Sequence, residues 1–192
     1  MFLDIAVGIL LSIGVSWYFN VELTFILILT SVLFALSPDI DFLWVSLRIG
    51  VTKVTHIHRE ILHHPLVFIP IGAIVLIPFG KIFVVTFILA AFWHFLNDTL
   101  TTGWGVQWFW PFSKKYYKLL GGMIYQAPDK PKLPLKFFYA WTPEEAEGIE
   151  LKHGDPNWLK NIYFKLHPLA IVEYLFFIFS VILLIIYKIF IK

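Results

Sequence analysis

A chain of 192 residues that is 59% hydrophobic, 19% aromatic and only 15% charged is too apolar for an ordinary water-soluble domain, in which hydrophobic residues make up roughly 45–50%. Its net charge of +2 gives no reason to expect nucleic acid as a partner. The absence of cysteine excludes disulfides, thiolate zinc sites and cysteine nucleophiles, so any metal must be held by His, Asp or Glu.

Apolar runs suited to crossing about 30 Å of hydrocarbon occur at residues 2–19, 23–36, 66–79, 82–96 and 169–191. The expected fold is therefore all-α: a polytopic membrane helical bundle of about five transmembrane helices, one integral domain over residues 1–192. The second and third runs are short, and a re-entrant segment is the alternative reading for either. The first run lacks a basic n-region and a small-residue cleavage site, so it is expected to remain as a helix. Twelve of the 15 Lys and Arg fall on the Met1 side of this arrangement, which by the positive-inside rule makes that side cytoplasmic. All seven histidines are expected on the same side or at helix ends facing it, together with Asp4, Asp39, Asp41, Asp98 and Glu173. This predicts a multi-pass protein of the inner, or cytoplasmic, membrane with its polar chemistry on the cytoplasmic face.

Residues 97–167 read as a long interfacial loop containing short helices. In "TPEEAEGIELKHG", Thr142 is an N-cap, Pro143 occupies the first helical position, Glu145 closes a capping box and Gly154 stops the helix. "DPNWLKNIYFKLHP" repeats the pattern with Asp155 capping, and places Trp158, Leu159, Ile162, Tyr163 and Leu166 on one stripe expected to lie in the membrane interface. Pro128, Pro131 and Pro134 predict an extended loop between Gly121 and Thr142. In "GVQWFWPFSKKYYK", Trp104, Trp108, Phe109, Trp110 and Phe112 adjoin Lys114, Lys115, Tyr116 and Tyr117 just after the fourth run. They form an aromatic and basic belt of the kind that settles among lipid headgroups.

Three clusters carry candidate chemistry. "SPDID" at residues 37–41 ends the second run, where Pro38 is expected to turn the chain and bring Asp39 and Asp41 together at the membrane boundary. Neighbouring carboxylates repel unless a cation or proton lies between them. "THIHREILHHP" at 55–65 holds His56, His58, His63 and His64 in front of the third run, with Pro65 placed to start a helix and leave His64 near its N-cap. It is not an HExxH signature. In "AAFWHFLNDTLTTGWG" at 90–105, His94 and Asp98 stand one helical turn apart on one face, a spacing able to hold one ion. Each cluster alone also has a bland reading: a hydrogen-bonded helix end, a solvated turn or a packed histidine. Together they supply ligands for one or two divalent ions, with zinc favoured and manganese the alternative, and Arg59 available to an anion.

"SPDID", "HREILHH" and "HFLNDTLTTGWGVQWFWPFS", in that order among hydrophobic spans, resemble the inner-membrane metal-dependent hydrolases of the LexA-binding, or YdjM, type. The resemblance covers roughly residues 36–113. It implies functional roles for Asp39, Asp41, His58, Arg59, His63, His94, Asp98, Thr102 and Gly103. This sequence departs from the family pattern at Phe42, Glu60 and His64, and Asp4 stands near the place of an early histidine, where it is an additional candidate oxygen ligand. Distant kinship with zinc-dependent phospholipase C and P1-type nucleases is a further implication, and with it phosphoester hydrolysis.

The expected function is that of a membrane-bound metal-dependent hydrolase of a phosphoester in a lipid or lipid-linked substrate, acting through a metal-activated water. Asp39, Asp41, His63, His94 and Asp98 are the expected ligands, with Asp4, His64 and Thr102 as additional candidates. His58 is assigned as ligand or acid/base, and Arg59 as anion clamp. The lipid bilayer and the phosphoester substrate are the expected partners. Two alternatives use the same residues: a divalent cation transporter, which would be expected to carry its site near mid-membrane between repeats, and a non-catalytic membrane protein with a structural metal.

Overall fold

A computed structural model describes residues 1–49, 62–101, 103–121, 126–127 and 129–190. The expected site residues His58, Arg59 and Thr102 lie outside the described residues, as do His56 and Glu60. The chain divides into two compact units, Met1–Pro38 with Phe68–His94 and Ile171–Lys192, and Asp39–Val67 with Phe95–Ala170.

In the first unit, α1 (Phe2–Tyr18) and α2 (Phe25–Leu36) are joined by a tight turn in which Asn20 takes φ 51°. Thr24 caps α2 by accepting from the Leu27 amide at 3.2 Å. The two helices pack closely because Gly8 carries no side chain: a Cβ there would stand 2.6 Å from the Cα of Val32. Their apolar faces bury Ile9, Ile13, Leu23 and Leu27 with Tyr187. Hydroxyls in this apolar setting are satisfied by their own helices, as Ser12 donates to the Ile9 carbonyl and Ser31 to that of Leu27.

Beyond α2 the backbone does not turn away at Pro38, as the sequence suggests. It tightens into a 3-10 turn over Ser37–Asp39 and resumes as α3 (Ile40–Ile49). Proline lacks an amide and crowds the preceding carbonyl, and a short 3-10 segment relieves both without ending the helix. The apolar stretch thereby lengthens to Phe25–Arg48, 24 residues.

α4 (Pro65–Leu76) starts at the expected proline, runs into a 3-10 turn at Ile77–Phe79 and ends at Gly80 with φ 102°. α5 (Lys81–Leu100) follows. Among the described residues three helices are long and apolar enough to cross a membrane: Phe25–Arg48, Lys81–Leu100 and Pro168–Phe190. The other two expected spans correspond to shorter apolar helices, Phe2–Tyr18 and Pro65–Phe79.

The second unit is not purely helical. Strands β1 (Tyr116–Leu119) and β2 (Phe138–Trp141) pair antiparallel, Tyr116 opposite Trp141 and Leu119 opposite Phe138, so part of the expected extended loop is a sheet. Gly105, at φ 97°, lets the chain pass β1 so closely that a Cβ would meet the Tyr117 carbonyl oxygen at 2.4 Å. Trp104, Tyr116, Tyr139 and Trp141 pack with Ala146 in this unit's core. Ala146 belongs to α6 (Pro143–His153), which has the expected Thr142 and Glu145 capping box.

α7 (Trp158–Tyr163) begins one residue after Asn157, which makes no side-chain cap. Asp155 instead accepts from the Asn157 amide and from Asn161 Nδ2. Leu166 falls beyond the end of α7, outside the expected stripe, and α8 (Pro168–Phe190) completes the described chain.

Candidate metal centre

Three short backbone features of the second unit gather its acidic and imidazole groups. The 3-10 turn presents Asp39, the first turn of α3 presents Asp41, and the residues leading into α4 present His63. His63 is fully buried and Asp41 almost so, and the His63 Nδ1 lies 3.0 Å from Asp41 Oδ2. The same oxygen accepts from the Leu62 amide at 3.0 Å. The other ring nitrogen, Nε2, lies 3.5 Å from Asp39 Oδ1 and 3.4 Å from Asp98 Oδ2.

This arrangement restricts the state of the ring. A neutral imidazole has one N–H, and an ionised carboxylate can only accept. With Nδ1–H donating to Asp41, a neutral His63 would point its Nε2 lone pair at the oxygens of Asp39 and Asp98. Either a second proton or a cation must relieve that contact. The distances suit a cation: ligand bonds of roughly 2.0–2.2 Å in tetrahedral geometry place ligand atoms roughly 3.3–3.6 Å apart. Asp39 and His63 both offer ligand atoms at metal-cluster spacing. In addition, Asp41 Oδ1 is buried without a hydrogen-bond partner among the described residues. The donor set, one nitrogen and several carboxylate oxygens, suits zinc or manganese.

Electrostatics of the protein without an ion point the same way. Burial alone would depress the His63 imidazole, but hydrogen bonds to Asp39, Asp41 and Asp98, with the charge of Asp98 added, hold it well above its ordinary value of 6.5. Even a protonated His63 leaves an excess of negative charge, one imidazolium against three carboxylates. The Phe95 ring packs edge-on to the imidazole at 5.9 Å, so one wall of the site is dry.

Asp98 is positioned by the end of α5. The Lys118 side chain, fully buried on β1, sends its ammonium to the backbone carbonyls of Asp98 and Thr101. A cation at a helix C-terminus satisfies carbonyls that lack intrahelical partners and complements the helix dipole. Trp108 Nε1 donates to Thr99 Oγ1 at 2.8 Å and packs against Phe95. In the sequence Lys118 is not distinguishable from the neighbouring Lys114 and Lys115, because a strand of four residues leaves its buried face undefined; its shared parity with Tyr116 is the local signal.

His94 precedes Asp98 by one turn of α5 and belongs to the first unit, where it is buried. Its Nδ1 lies 2.9 Å from the Ala35 carbonyl oxygen, which can only accept, so Nδ1 carries the hydrogen and, in the neutral ring, Nε2 holds the lone pair. Asp4, also buried, places Oδ1 3.7 Å from the same Nδ1. Asp4 thus stands on the Nδ1 side of the imidazole, beyond hydrogen-bond distance.

His64, the N-cap candidate, is buried and engages Gln107 and Trp110. Its Nε2 lies 2.8 Å from Gln107 Oε1, Gln107 in turn donates to the Lys114 carbonyl, and the Trp110 ring lies tilted over the imidazole at 4.5 Å. Gly103, implied by the resemblance, adopts φ 106°, a conformation that favours glycine just past α5.

No curated protein and no solved structure matches the chain. One family model, described as YdjM inner membrane protein, matches residues 3–189, nearly the whole length and far beyond the three motifs. The apolar helices, the motif order and this match agree, and the chain belongs to the YdjM inner membrane protein family.

Proposed function

We propose that the protein is a membrane-bound metal-dependent hydrolase of a phosphoester in a lipid or lipid-linked substrate. The observation that supports this reading is the placement of carboxylates against both nitrogens of the buried His63. Asp39, His63 through Nε2 and Asp98 are the ligands, and Asp41 fixes the ring through Nδ1 while its Oδ1 remains a further oxygen donor. His94, one turn before Asp98 on α5, is a further ligand candidate by its helical spacing. Zinc is the preferred ion, manganese the alternative, in one or two copies.

Bound there, a divalent ion supplies Lewis acidity and lowers the pKa of a coordinated water towards neutrality. The chain's residues do the rest. Asp41 and Ala35 hold imidazole tautomers, Phe95 keeps one wall dry, and Lys118 anchors the Asp98 turn. His58 as acid/base and Arg59 as anion clamp complete the assignment implied by the family motif. The site is assigned to the cytoplasmic side on the distribution of Lys and Arg.

The test is elemental analysis of detergent-purified protein, wild type against His63→Ala and Asp98→Asn, paired with phosphodiester and phosphomonoester substrates. We expect bound zinc or manganese in the wild type, its loss in both variants and a parallel loss of hydrolysis. Equal metal content in all three proteins would defeat the ligand assignment. Metal-dependent thermal stability with no turnover on any substrate would replace the enzyme with a structural metal protein.

A further inference from the structure

In the antiparallel pair β1 and β2, alternate residues point to opposite faces. Tyr116, Lys118, Tyr139 and Trp141 are buried on one face. The other face carries Tyr117, Leu119, Phe138 and Ala140, which are exposed or half-buried. A two-stranded sheet with one face in water shows polar residues there. Here the outer face is apolar throughout.

The patch extends beyond the strands. The Phe109 ring meets Tyr117 at 5.1 Å, and Tyr117 meets Phe138 at 6.1 Å, so three rings form one continuous surface. Phe112, Leu135 and Phe137, a few residues before the strands, are 89%, 81% and 71% exposed. The tryptophans of the expected belt are placed differently: Trp104 is in the core, Trp108 is tied to Thr99, and Trp110 lies over His64. The outward-facing rings are Phe109, Tyr117 and Phe138 instead, the last from the expected extended loop.

Charge selects the occupant. Lys114 and Lys115 are exposed just before β1 and Lys136 just before β2, its ammonium 6.0 Å from the Tyr139 ring centroid, and residues 105–121 and 131–141 contain no Asp or Glu. Apolar rings beside an excess of lysines over acidic residues, Glu144 near Lys114 being the exception, match an anionic lipid surface, with rings among the upper acyl chains and ammonium groups at the phosphates. We infer that the outer face of the β1–β2 sheet, with Phe112 and Phe137, is a membrane-contact surface that seats in the headgroup layer of anionic lipid, in addition to the spanning helices. This inference is independent of the metal centre.

The chain has no cysteine, so Phe112→Cys and Phe137→Cys each give a single spin-label site, and Glu147→Cys on α6 gives an exposed acidic control. The full chain is placed singly in nanodiscs of phosphatidylglycerol and phosphatidylcholine, and label collisions with oxygen and with an aqueous nickel chelate are compared. The expected result is collision dominated by oxygen at 112 and 137 and by nickel at 147. Replacing phosphatidylglycerol with phosphatidylcholine should lower the oxygen-to-nickel ratio at 112, and Lys114→Gln/Lys115→Gln/Lys136→Gln should abolish that lipid dependence. Nickel-dominated collision at both 112 and 137 would overturn the membrane assignment. A ratio at 112 indifferent to phosphatidylglycerol would overturn the anionic preference.

Discussion

Asp41 Oδ2 lies 3.0 Å from His63 Nδ1, and this contact decides which ring nitrogen faces Asp39 and Asp98. Asp41 is thus an orienting carboxylate for the ring. Replacing it with asparagine allows the amide to present N–H where the ring also donates, so the tautomer or the ring orientation changes. Asp41→Asn is expected to weaken metal affinity by about 10- to 100-fold, the usual cost of losing such a partner. Competition with a fluorescent chelator measures it, and unchanged affinity would remove Asp41 from the assignment.

The raised pKa of His63 fixes the sign of a pH effect. Its folded value lies above the ordinary 6.5, so without metal its stabilising contribution is fully present below about pH 6.5 and declines as pH rises through the folded value. Chelator-treated protein is expected to lose thermal stability as pH rises above about 6.5, and His63→Gln should flatten that slope. Metal displaces the same proton, so metal affinity should rise across that window. Opposite slopes in either titration would contradict the assigned environment.

Lys118 is buried with its ammonium on the carbonyls of Asp98 and Thr101. Lys118→Met keeps the stem but strands those acceptors, at about 1–3 kcal/mol. We expect a lower unfolding midpoint and faster amide exchange in the last turn of α5, measured by mass spectrometry in detergent. A midpoint equal to the wild type would show that the carbonyls find other donors.

Gly8 packs against the backbone of Val32, where a Cβ would stand 2.6 Å from Cα. Backbone cannot swing aside as a side chain can, so Gly8→Ala should separate α1 from α2 and destabilise the protein by about 1–3 kcal/mol. Gly14, with open space around its would-be Cβ, is the control: Gly14→Ala should be neutral or slightly stabilising by thermal unfolding.

Thr142 and Glu145 exchange hydrogen bonds as a capping box at the start of α6. Thr142→Ala is expected to cost about 1 kcal/mol locally and to leave metal binding unchanged. Hydrogen exchange at the Glu145 amide reports the first effect, and chelator competition the second.

What was legible in the sequence was local. The membrane class follows from composition, the α6 capping box from "TPEEAEG", the start of α4 from Pro65, and the single face of His94 and Asp98 from helical spacing. Each depends on residues within a turn or two of one another, where backbone geometry leaves few choices. Pro38 misled because its local rule, a break, was met by a milder response, a 3-10 turn.

The amino-acid sequence by itself determined that this protein belongs in a membrane, where its apolar stretches lie and which short segments concentrate Asp and His. Only the tertiary structure decided that His63 has Asp41 on one nitrogen with Asp39 and Asp98 on the other, that Lys118 turns inward, and that "FYAW" pairs with "YYKL". Those partners lie about 20 or more residues apart along the chain. Their meeting depends on the summed path of helices and turns between them, and no local pattern of residues encodes that path.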